Sequence, residues 1–377
     1  MLDYGTLREI WWLLLGVLLI GFAVTDGYDL GLGAIYRFIT RDDTERRMAL
    51  EAIEPHWEGH QVWFILGGGA VFAAWPALYA ASFSGFYFAM LLVLLALILR
   101  PVGFNFRNKV ENPAWRNAWD WALTVAGAVP ALVFGVAFGN LFLGVPFHFT
   151  DNLLPVYDGG FLGLFHPFAL LAGVVSLSML AMHGAAFGAM KIEGAVGDRA
   201  RAVARVAALL ALAAFVAAGA WLSVLPGHAV VGTLATDGPS NPLGKQVVVE
   251  AGAWLANQRA HPALWLVPAV AALALAVVAL VRNRVAGFVA SAIAVAAIIL
   301  TAGIALFPFL LPSASQPGHG LTIWDASSSH RTLGIMLFAT AVFLPLILAY
   351  STWAFRIMSG RVTRAHVEEQ ARNGGGY

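Results

Sequence analysis

The chain has 377 residues, 60% of them hydrophobic and 11% charged, where an ordinary soluble domain runs at roughly 45–50% apolar and about 25% charged. So few charges cannot coat a soluble body of this size, and a net charge of +1 removes the electrostatic basis for binding nucleic acid. Cysteine is absent, which excludes disulfides, Cys-ligated zinc, iron–sulfur clusters and thioether-linked haem.

A helix needs about 20 mostly apolar residues to cross roughly 30 Å of hydrocarbon. In chain order such stretches fall at Ile10–Ile35, Val62–Tyr79, Ser82–Leu99, Asp120–Leu143, Phe161–Met190, Val203–Leu225, Pro262–Val281, Ala286–Leu306 and Leu333–Phe355. Runs such as MLLVLLALIL lack the in/out alternation of a barrel. The fold class is therefore all-α: a polytopic integral membrane bundle of about nine helices, one transmembrane domain over 1–377. Asp3 and Glu9 stand where a signal peptide has its basic region, so the first stretch is read as a retained helix.

Of the 22 basic residues, 18 fall in one alternating set of loops; Arg8, Lys245, Arg259 and Arg331 form the other. The positive-inside rule puts the N-terminus in the periplasm and the C-terminus in the cytoplasm, which an odd number of spans requires. The longest periplasmic loops are then 226–261 and 308–331. Within the first, KQVVVEAGAWLANQ predicts a short amphipathic surface helix. Residues 366–377 read as a flexible cytoplasmic tail.

Ionisable groups at hydrocarbon depth cost some 2.5–3.5 kcal/mol each on insertion scales and usually mark function. Asp26 and Asp29 lie three apart in VTDGYDLG, a turn or two from the cytoplasmic end of the first helix. Glu54 and Glu58 precede the second, Arg100 closes the third, and Asp120 opens the fourth. This topology predicts one cytoplasmic layer holding Asp26, Asp29, Glu58, Arg100 and Asp120. Arg100 can neutralise Asp29 or Asp120 there, and an unpaired carboxylate can relay protons. His183, near Met179 and Met182, reads as a histidine hydrogen-bonded inside the bundle, and His56 and His60 as part of an interfacial helix start. Two classes fit: a subunit of a redox membrane complex, or a proton-coupled secondary transporter, whose ionisable site would more often lie near the midplane.

The motifs decide between them. IWWLLLGVLLIGFAVTDGYDLG, EPHWEGHQVW, FAAWPALYAASFSGFY, RPVGFNFRNK, WRNAWDW, GVAFGNLFLGVPF, LLAGVVSLSM, EAGAWL, TAGIALFPFLLPS and LTIWDASSS follow one another in order along the chain. In them the chain resembles, over essentially its whole length, subunit II of cytochrome bd-type quinol oxidases. The resemblance implies a heterodimer with subunit I in the bacterial inner (plasma) membrane. Small accessory subunits are allowed for. The heterodimer oxidises ubiquinol or menaquinol, reduces dioxygen to water and generates a membrane potential from cytoplasmic protons.

It further implies that two haems b and one haem d are ligated by subunit I and none by this chain, and that some members hold a structural quinone. Carried over residue by residue, Glu58 falls at a position implicated in proton entry and Asp29 and Arg100 at positions needed for assembly near haem d. Trp63 falls where an oxygen path begins, and Asp120 matches within WDW. Departures are Glu58, where some members have Asp; Asn105, where some have an acid; His60, where Asn is usual; and His183, with no matching histidine.

Overall fold

The structure, a computed structural model, describes residues 2–357 and 360–372. Helix α1 (Tyr4–Val24) starts at Asp3, whose carboxylate accepts from the Thr6 amide. It runs into α2 (Asp26–Ile39) through a bend at Thr25, whose hydroxyl donates to the Gly21 carbonyl at 2.7 Å. Such back-bonding by threonine commonly bends a helix. The joined stretch Tyr4–Ile39 has 36 residues, about 54 Å at 1.5 Å per residue. It projects past the bilayer, and Asp26 lies about 20 Å from its end, not a turn or two as the apolar run alone suggests.

Next come α3 (Asp43–Glu51), α4 (Trp57–Ala74), α5 (Pro76–Gly85), α6 (Tyr87–Phe106) and α7 (Pro113–Leu143). The chain breaks at Trp75, because the residue before a proline avoids the helical region and Pro76 then opens a new helix. The second apolar stretch thus ends at Ala74, not Tyr79, and the next long helix starts at Tyr87, not Ser82.

Helices α8 (Pro167–Lys191) and α9 (Gly194–Leu222) follow, then the short α10 (Ala256–Ala260), α11 (Leu266–Leu280), α12 (Arg284–Leu306), α13 (His330–Ile357) and α14 (Arg364–Arg372). Among the described residues, eight helical stretches are long and apolar enough to cross a membrane. Helix α4, diluted by Glu58, His60 and Gln61, stands beside α1 and α13 and is not among the eight, one fewer than the nine expected.

Small residues set the centre of the bundle. Helix α2 is clasped between α7 and α8. A Cβ added at Gly31 would collide with the Leu180 carbonyl of α8, and one at Gly127 with the Leu30 carbonyl of α2. With lipid outside, close backbone approach of this kind drives helix association. Gly31→Ala is therefore expected to destabilise the purified protein by about 3 kcal/mol or more. Gly68→Ala, whose new methyl meets nothing within 4 Å, should leave the melting temperature unchanged.

Three small antiparallel hairpins lie at the end opposite the basic residues, one between α7 and α8 and one in each of the two long loops. The first of the hairpins, β1 (Phe147–Phe149) with β2 (Pro155–Tyr157), lies in the α7–α8 connection. Strand β3 (Pro226–Val231) pairs with β4 (Gln246–Ala251), and β5 (Phe309–Leu311) with β6 (Leu321–Thr322). The expected amphipathic helix is thus corrected: Gln246–Ala251 is a strand, as its β-branched VVV run favours, and only Ala253–Ala260 is helical. Trp254 is buried there and donates to the Phe142 carbonyl at 3.0 Å. Arg8 donates to the carbonyls of Thr236 and Gly238 at 2.6 and 3.0 Å, tying the first loop to α1. The tail expected to be flexible from residue 366 is helical to Arg372: Val367 is buried, α14 packs on α3, and Arg364 reaches Asp42 at 3.1 Å. Residues 373–377 lie outside the described residues.

Candidate functional site

Three residues along a helix differ by about 60° in direction, so Asp26 and Asp29 leave α2 toward different neighbours. Asp26 meets Arg100 of α6, with Nη1 at 2.8 and 3.2 Å from the two carboxylate oxygens. Both side chains are buried, and the guanidinium lies 5.2 Å above the Trp57 ring. Asp29 instead turns to α4, where its Oδ2 is 2.6 Å from His60 Nδ1, and His60 Nε2 is 3.4 Å from the Tyr28 hydroxyl. Two polar atoms of this cluster, Asp29 Oδ1 and Arg100 Nη2, are buried without a protein partner.

Asp120 belongs to a second, separate cluster. Its carboxylate receives Arg107 Nε at 2.6 Å, Arg46 Nη1 at 2.7 Å and the Tyr36 hydroxyl at 2.9 Å. Tyr36 is ten residues beyond Asp26, about 15 Å along α2. Asp43 joins this cluster from α3, 2.8 Å from Arg107 and 3.1 Å from Arg116. Burial pushes the Asp43 carboxyl up, but the adjacent Arg107 and Arg116 more than offset it and hold it below the ordinary 3.8. Such a lowered carboxyl adds stability that is present above its unfolded value and lost only as pH falls through the lower folded one. Asp43 therefore keeps its charge throughout the physiological range.

The single layer and the structural group Asp29–Arg100–Asp120 expected from the sequence are thereby corrected. Arg100 pairs with Asp26, Asp29 with His60, and Asp120 with Arg107 and Arg46. Glu58 lies two residues from both His56 and His60, about 200° around α4, and is exposed on the outer face. Trp63 is half-buried, its ring against Gly21 of α1. Sequence reasoning missed His60, Arg46 and Arg107; the only signal was that the membrane-depth acids outnumber Arg100.

His183 is fully buried, with Nδ1 2.7 Å from the Ser291 hydroxyl and Nε2 2.9 Å from the Val24 carbonyl. It is the bundle histidine expected, and with both ring nitrogens engaged it does not fit an axial haem ligand. Among the described residues no three His, Asp or Glu side chains gather as a metal-holding group.

The family model for cytochrome bd terminal oxidase subunit II matches residues 7–358. The chain belongs to that family. It is 50% identical over 377 residues to cytochrome bd-I ubiquinol oxidase subunit 2 of Escherichia coli (strain K12), covering 99% of this chain and all of that one. The probable cytochrome oxidase subunit 2 of Haemophilus influenzae (strain ATCC 51907 / DSM 11121 / KW20 / Rd) is 49% identical, with 98% of each chain covered. A chain in the structure of bd oxidase from Geobacillus thermodenitrificans shares the fold at 17% identity and a TM-score of 0.66, over 94% of this chain and 99% of that one. This chain is thus subunit II of a cytochrome bd ubiquinol oxidase, a multi-pass membrane protein working beside a partner subunit in a haem-associated complex.

Proposed function

We propose that this subunit II ligates none of the haems, stabilises the haem-bearing subunit I, and conducts cytoplasmic protons inward while quinol is oxidised and dioxygen reduced in the complex. Its place is the bacterial inner membrane, with ubiquinol or menaquinol as electron donor. Two haems b and one haem d belong to subunit I in this reading. The observation that carries it is the buried cluster of Asp26, Asp29, Arg100 and His60. It holds more carboxylates than its one guanidinium can neutralise and keeps one carboxylate oxygen unpartnered.

Charges are retained at such depth where they pair or move ions. Glu58, on the outer face of α4 among the exposed Val62, Ile65 and Leu66, is positioned to take a proton at the junction with subunit I. Asp29 and Asp26 lie further in. Trp63 borders the oxygen path. Arg107 and Asp120 hold the cytoplasmic ends of α2, α3, α6 and α7 together, and so support assembly instead of transfer.

The test is Glu58→Gln and, separately, Asp29→Asn in the complete oxidase reconstituted in liposomes. Oxygen consumption and membrane-potential generation should both fall by about 10²-fold in Asp29→Asn, the usual worth of a positioned proton-transfer group, and less steeply in Glu58→Gln, which stands at an entry ahead of it. Unchanged rates in both variants would remove the carboxylates from the path.

A further inference from the structure

A cavity of about 670 Å³ opens at the basic end of the molecule, lined by His56, Phe187, Lys191, Arg284 and Phe355. His56 forms its inner wall: it is 9% exposed, and its Nδ1 is buried with no protein partner. One turn further along α4 stands His60, its ring 3° from parallel to that of His56 with centroids 6.0 Å apart. Phe355 stacks on both rings, at 5.2 and 5.4 Å. Beyond His60 comes Asp29 at 2.6 Å. Cavity, imidazole, imidazole and buried carboxylate thus succeed one another along one face of α4, with Glu58 on the opposite face.

We propose that His56 and His60 form a proton-transfer branch from this cavity to Asp29, separate from entry at Glu58; the proposal deepens the proton-uptake reading above and rests on it. A proton taken up from the cavity at His56 passes, through one water, to His60 Nε2, making an imidazolium. The Nδ1–H bond then breaks and an O–H bond forms on Asp29, leaving a neutral ring and a neutral carboxyl. Imidazole suits the task because it accepts at one nitrogen and releases at the other. The charged and titratable groups around the pair are Asp26, Asp29 and Tyr28 from α2, Arg100 from α6, His183 and Lys191 from α8, and Arg284 from α12 and Arg361, which line the cavity with His56. The carboxylates favour the transient imidazolium and Arg100 limits its lifetime.

The test uses the complete oxidase in liposomes carrying His60→Asn, whose amide can still donate to Asp29 but cannot titrate. Haem absorbance and melting temperature should be those of the parent, while oxygen consumption slows about twofold, as two parallel entries of similar capacity require with Glu58 remaining open, and its pH profile loses an inflection. If His60→Asn keeps the parental rate and pH profile while Asp29→Asn abolishes uptake, the branch is wrong and the proton-uptake reading stands. If Asp29→Asn and Glu58→Gln also keep parental rates, that reading falls and the branch with it. Should His60→Asn fail to assemble, His56→Gln decides: a slowed rate supports the branch and a parental one overturns it.

Discussion

Arg100→Gln is expected to cost the assembled oxidase about 3–5 kcal/mol, because it leaves Asp26 buried beside Asp29 with no compensating charge. Melting temperature and recovered haem absorbance should drop together. Adding Asp26→Asn should restore much of the loss, since replacing a whole buried pair by neutral groups is often close to neutral. Adding Asp29→Asn instead should restore less, because Asp29 is hydrogen-bonded to His60 while the guanidinium is hydrogen-bonded to Asp26. Equal rescue by the two would show that Arg100 serves both carboxylates alike and would contradict the pairing.

Asp120→Asn should destabilise the oxidase by a similar amount, about 3–5 kcal/mol, for a different reason. Asp120 and Arg107 are both fully buried, and Arg46 and Tyr36 converge on the same carboxylate. The substitution strips two guanidinium groups of their shared acceptor and frees the junction of α2, α3, α6 and α7. Asp43→Asn, at the exposed rim of the cluster, should cost no more than about 1 kcal/mol. Limited proteolysis of the connection between α6 and α7, alongside thermal melts, separates the two cases: Asp120→Asn should expose it and Asp43→Asn should not.

The spans were legible because lipid leaves a compositional imprint, and the few polar residues within them were legible as sites because each is costly there. Asp26, Asp29, Arg100 and Asp120 all proved to be buried charges. Their partners were not legible. One 60° step on α2 decides whether an acid faces α6 or α4, and a few residues of extra helix beyond Ile35 separate Asp120 from Asp26 by some 15 Å. Neither is encoded in hydropathy. His60 was hidden for the same reason: its pairing with Asp29 depends on how α4 packs against α2, and the nearby tryptophans suggested an interfacial residue. The Trp75–Pro76 break and the VVV strand carry local signals, which the surrounding apolarity obscured.

The central claim is that this chain contributes side-chain chemistry and support to a haem-bearing partner while holding no haem itself. It is tested most directly by purifying the chain expressed alone and together with subunit I, and recording the reduced-minus-oxidised absorbance of each. The chain alone should be colourless, and the complex should show the full haem b and haem d spectrum. A chain that carries stoichiometric haem on its own would contradict it.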